Sequence, residues 1–140
     1  MSDAEAKAIL VGEWMKKADD DLGVAELTLE HGPRYIDAIC FHSQQAVEKY
    51  LKGYLTYLDV RFRKSHSLGY LLDLLAEREQ VPNETYEMAD KLEDYAVEVR
   101  YPDAGSDQKP TLDEAREAVE IARRFRGMVL EKMQPGDHHR

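Results

Sequence analysis

The segment from Tyr35 to Leu58 constrains the fold more than any other part of the chain. Ile36, Ile39, Cys40, Val47, Tyr50, Leu51, Tyr54 and Leu58 recur at intervals of three and four, the spacing that draws an apolar stripe along one side of an α-helix. Nothing within the segment breaks the pattern, so a helix of about six turns is expected, with the core built against it. At ~100° per residue, His42, Gln45, Lys49 and Lys52 fall within an arc of about 80° opposite that stripe. Such an arc is either the solvated face that any amphipathic helix carries or a row of polar groups held by the scaffold as a site. On this placement Leu51→Ala costs about 2–5 kcal/mol, and Lys52→Ala changes stability by less than about 0.5 kcal/mol.

Four further segments surround it. Residues 4–30 carry Ile9, Leu10, Trp14, Ala18, Leu22, Ala25 and Leu29 toward one side. The Asp19-Asp20-Asp21 run reads as a solvated patch, because successive helical side chains diverge by ~100° and cannot converge on one metal ion. Gly32 and Pro33 stop this helix. After the basic connection Val60–His66, Ser65 or Ser67 can cap a short helix with Leu68, Leu71, Leu72 and Leu75 inward. Asn83 is positioned to cap a fourth, which carries Met88, Leu92, Tyr95, Ala96 and Val99 inward and ends near Arg100, before Tyr101-Pro102. Thr111-Leu-Asp-Glu114 is a capping box that starts a fifth through Ala115, Ala118, Val119, Ala122, Phe125, Val129 and Met133. Residues 134–140 are expected to fray. The result is an all-α bundle in one 140-residue domain with mostly short connections.

Composition narrows the function. Hydrophobic residues make up 43% and charged residues 34%, a globular profile with no apolar run near the ~20 residues a membrane helix needs. The N-terminus has no secretory-signal pattern, and Cys40 is the only cysteine. A cytoplasmic setting is therefore expected. The net charge of −9 argues against a general nucleic-acid coat protein. The charge is uneven, however. Residues 34–66 hold six Lys/Arg against three Asp/Glu, while residues 77–120 hold fourteen acids against five bases. The second helix and the loop after it are thus locally basic. No histidine completes a Glu-x-x-His pair, and neither HExxH, a glycine-rich phosphate loop nor a cysteine pair occurs, so no metal or cofactor is called for.

Three stretches in order carry a resemblance: Phe-His-Ser-Gln-Gln-Ala-Val-Glu-Lys-Tyr-Leu-Lys at 41–52, Lys-Ser-His-Ser-Leu-Gly-Tyr-Leu-Leu at 64–72 and Arg-Tyr-Pro-Asp at 100–103. Together they resemble the HEPN domain (higher eukaryotes and prokaryotes nucleotide-binding), over roughly residues 13–132. The resemblance implies an up-and-down bundle of four to five antiparallel helices, usually a homodimer. It also implies a minimal nucleotidyltransferase partner in a toxin–antitoxin-like pair, with nucleotide or RNA as ligand and no membrane. The ligand-binding residues it implies are His42, Gln45, Lys49, Lys52, Arg61, Arg63, Lys64, His66, Arg100, Tyr101 and Asp103. Arg100 would grip a phosphate through two parallel hydrogen bonds, and Tyr101 would stack on a base. Ribonuclease members of the family carry an arginine and a histidine separated by four to six residues. Here Gly105, Ser106 and Asp107 occupy the positions where that histidine would stand after Arg100. The general acid or base is missing, so the implied role is binding without catalysis. The alternative is metal-independent RNA cleavage by Arg100 with His42 or His66.

Overall fold

A computed structural model of the chain describes residues 1–100 and 110–134, apart from the side chains of residues 97–100. Five helices account for nearly all of it: α1 Asp3–His31, α2 Ile36–Tyr57, α3 Leu68–Ala76, α4 Asn83–Arg100 and α5 Leu112–Met133. Among the described residues there is no strand, and no helix long and apolar enough to cross a membrane.

Local chemistry sets the boundaries. Ser2 and Glu5 form a capping box at α1, and Thr111 and Glu114 form the expected one at α5. Ser67, rather than Ser65, caps α3 by accepting from the Tyr70 amide at 3.1 Å. The α2 terminus is a Schellman motif. Val60 N donates to Leu55 O at 2.9 Å and Asp59 N to Thr56 O at 3.0 Å, with Asp59 left-handed at φ 62°. Gly32 ends α1 for a steric reason. Its φ is −141°, and a β-carbon there would sit 2.9 Å from the Tyr35 ring.

Cross-links between helices give the directions. Lys7 at the start of α1 reaches Asp59 beyond the end of α2, at 3.1 Å, while Asp21 meets His42 near the start of α2. The two helices are therefore antiparallel. Asp19–Arg126 and Glu26–Arg123 run α5 antiparallel to α1. Glu84–Arg124 and Lys91–Glu117 run α4 antiparallel to α5. The four long helices alternate up and down, and short α3 bridges α2 and α4.

Helix α2 packs against all four others. Tyr50, Leu51, Leu55, Ile39 and Val47 are buried on it, against Leu71, Leu72, Leu92, Val119 and Phe125 of the surrounding helices. This corrects the expectation of a solvated second face. Ser43, Gln44, Glu48 and Lys52 are buried as well, because a stripe-and-face reading assumes neighbours on one side only. Two residues of α1 are corrected too. Ile9 and Leu10 are 51% and 45% exposed. Ile9 precedes the buried Ala18 by half an odd number of turns, ~180° around the helix.

The aspartate run is not a simple solvated patch. Asp19 accepts from Tyr50 Oη at 2.6 Å and Arg126 Nε at 2.9 Å. Asp20 pairs with Lys16, and Asp21 faces α2. Cys40 is fully buried. Burial, with the carboxylates of Asp37 and Glu114 adding to it, pushes its thiol up to about 12. The expected result is that a thiol reagent at pH 8 labels the native protein orders of magnitude more slowly than the urea-unfolded chain. Equal labelling rates would contradict this packing.

Candidate functional site

Asp21 of α1, 13% exposed, stands between His42 and Lys49 of α2. Lys49 Nζ donates to its Oδ2 at 2.5 Å, and His42 Nδ1 lies 2.8 Å from its Oδ1. An ionised carboxylate can only accept, so Nδ1 carries the hydrogen, and Nε2 is the ring nitrogen available for other contacts. Among the described residues Nε2 has no partner, and the ring is 30% exposed.

One turn further along, Glu48 is buried with 4% of its side chain exposed. Its Oε2 accepts from Lys52 Nζ at 2.9 Å, and its Oε1 lies 3.0 Å from His66 Nδ1. The Lys52 ammonium also faces the rings of Trp14 and Phe62, at 5.6 and 5.8 Å from their centroids. Gln44 Nε2 donates to the His66 carbonyl at 3.1 Å, and Gln45 Nε2 to Gln44 Oε1 at 2.9 Å. Gln44 and Gln45 thus extend the Glu48 group into a polar seam along α2.

This seam holds the α2–α3 loop. His66 is tied through both its ring and its carbonyl, and Phe62 packs edge-on to Trp14. Arg61, Arg63 and Lys64 are exposed on the same loop. Among the described residues none of the three meets a carboxylate. The Arg63 guanidinium stacks 3.9 Å from the Tyr70 ring centroid, while its amide donates to Tyr70 Oη at 3.0 Å.

The structure therefore divides the residues expected from the sequence. His42 and Lys49 meet at Asp21, and Lys52 and His66 meet at Glu48. Arg61, Arg63 and Lys64 project beside the second group. Lys52 is an interior cation with its charge already matched, so its place on an open polar arc is corrected. Arg100 ends α4, and its side chain, with Tyr101 and Asp103, lies outside the described residues. Sequence reasoning missed Asp21, Gln44, Glu48, Trp14 and Tyr70. Glu48 had a local signal, its i,i+4 spacing to Lys52. Asp21 had none, since its partners lie 21 and 28 residues away.

A helical bundle whose central helix carries a buried polar seam, next to a clamped basic loop, defines a class of small α-helical protein. The HEPN domain model matches residues 11–133, and the chain belongs to the HEPN domain family. Three solved structures are similar, each with a TM-score of 0.70. ST0689, an archaeal HEPN homologue, is 27% identical, with 89% of this chain and 98% of that one covered. TT1696 from Thermus thermophilus is 32% identical, at 88% and 98% coverage. The HEPN domain protein TM0613 from Thermotoga maritima is 29% identical, at 86% and 97%. No curated protein matches the sequence.

Proposed function

We propose that this HEPN domain binds the phosphate of a nucleotide or RNA without cleaving it. It acts in the cytoplasm as a homodimer, with a minimal nucleotidyltransferase as partner in a toxin–antitoxin-like pair. The observation that carries the binding role is the loop with Arg61, Arg63 and Lys64. Three exposed cations without carboxylate partners among the described residues stand on a connection clamped to the core, in a chain of net charge −9. A clamped loop gives up little conformational freedom on binding, so its charge is available at low entropic cost. The resemblance adds Arg100 and Tyr101 to the binding residues in this reading.

The test is affinity for mononucleotides and short single-stranded RNA, by calorimetry at several salt concentrations. Replacing Arg61, Arg63 and Lys64 together by alanine should weaken RNA binding at least tenfold at low salt. It should also reduce the slope of log K against log salt by about 2, at ~0.7 per phosphate contact. An unchanged slope would remove the loop from the site.

One observation bears on the cleaving alternative: Asp21 meets Nδ1 of His42 and Glu48 meets Nδ1 of His66. Each ring is oriented by a carboxylate with no partner at Nε2 among the described residues, the arrangement of a positioned general base. Metal-independent RNA cleavage lost in both His42→Ala and Arg100→Ala would establish that alternative.

A further inference from the structure

We propose that the outer face of α1 receives a second copy of this chain, the two α1 helices lying antiparallel about a two-fold axis opposite residue 18. This names the surface of the homodimer proposed above and rests on that reading. Ile9, Lys16, Asp20 and Leu27 lie within ~20° of one line along the helix, on the side opposite the buried Ala18. Ile9 is 51% and Leu27 60% exposed, two large apolar side chains left half open or more among the described residues. Neighbouring Val24, 42% exposed, widens the apolar end. The side chains of Lys16 and Asp20 are 76% and 66% exposed.

The order along this line identifies the occupant. Apolar, cation, anion, apolar, at spacings of seven, four and seven residues, is a palindrome in which the charges change sign about the centre. A second α1 laid antiparallel places its Leu27 on Ile9 and its Asp20 on Lys16, and the two-fold axis repeats both contacts. The existing Lys16–Asp20 pair, 2.9 Å apart, becomes half of a four-charge square. A parallel copy in the same register would set Lys16 on Lys16 and Asp20 on Asp20, which is repulsive. A self-complementary patch is what an isologous interface requires. Gly12 and Gly23 flank the same face, and an added β-carbon at either would have no neighbour within 4 Å among the described residues. Glycine within a helix costs roughly 0.5–1 kcal/mol against alanine. Here it leaves one edge of the face low enough for a second helix to approach.

The experiment is a charge swap read by sedimentation equilibrium on the full chain. Lys16→Glu and Asp20→Lys each place like charges across the interface, and each alone should weaken self-association about a hundredfold or more. When the two variants are mixed, a carboxylate at position 16 meets an ammonium at position 20, and the native Lys16 of one chain meets the native Asp20 of the other. The mixture should therefore dimerise as the parent does. Both variants keep a repulsive pair within their own helix, so restoration on mixing reports only contacts between chains. Their melting temperatures confirm that each is folded. Variants that dimerise alone would place the interface elsewhere and leave the dimer reading standing. A mixture that stays monomeric would refute the antiparallel pairing. A monomeric parent would refute the dimer itself, and this surface with it.

Discussion

Glu48→Ala should lower the unfolding free energy by about 3–5 kcal/mol, read from urea titration, because it leaves the Lys52 ammonium buried without its counter-charge. The expectation follows from position. Glu48 and Lys52 side chains are 4% and 9% exposed, and the aromatic faces of Trp14 and Phe62 compensate only part of a lost carboxylate. Lys52→Ala should cost a similar amount, which replaces the sub-0.5 kcal/mol effect expected from the sequence. Replacing both at once, with Glu48→Leu and Lys52→Met, should restore most of the stability, since a matched apolar pair carries no desolvation penalty. The single change at Glu48 also frees the His66 ring, so tryptic cutting at Arg61, Arg63 and Lys64 should accelerate in native conditions. A loss under about 0.5 kcal/mol, with unchanged proteolysis, would show the seam to be ordinary surface.

Leu51→Ala should cost about 2–5 kcal/mol. Leu51 is 1% exposed at the centre of the helix that every other helix touches, so no neighbour can close the void without moving its own contacts. With a urea m-value of about 1–3 kcal/mol/M, the midpoint should fall by at least ~1 M while m stays constant. A fall in m would show instead that the variant has lost its cooperative core. Stability equal to the parent would mean that α2 has been assigned the wrong rotation.

How much was legible in the sequence depends on how far apart the interacting residues lie. The helix boundaries were legible because their signals are local: Gly32-Pro33, Ser67 before a leucine run, Thr111 with Glu114. The core side of α5 was legible for the same reason, since Ala115, Ala118, Val119, Ala122, Phe125 and Val129 are all buried. The rotation of α2 was legible only for its apolar side. Lys52 looked like solvent-facing charge because periodicity does not record that Trp14 and Phe62 lie over it, or that Glu48 neutralises it. Asp21 was illegible as a partner of His42, because their meeting depends on how α1 and α2 slide past each other. Ile9 was placed on the inner side by its hydrophobicity, although its angle puts it outside. The three-stretch resemblance named the family, and the local charge balance marked the basic loop. Neither spoke of the seam that clamps that loop.

The three consecutive aspartates have a consequence for how α1 can change over evolutionary time. They fan out so that Asp19 ties the helix to α2 and α5, Asp21 ties it to α2 again, and Asp20 faces outward. Any one can be substituted at the cost of its own bonds. Adding or deleting one residue between Trp14 and Asp19 turns all three by ~100° relative to the first turns, so that Asp20 takes the place of Asp21 or of Asp19 and the other place loses its carboxylate. Helix α1 therefore tolerates new side chains on its outer face but not a new length between Trp14 and Asp19. Insertions and deletions belong in its first two turns, before the helix commits to its neighbours.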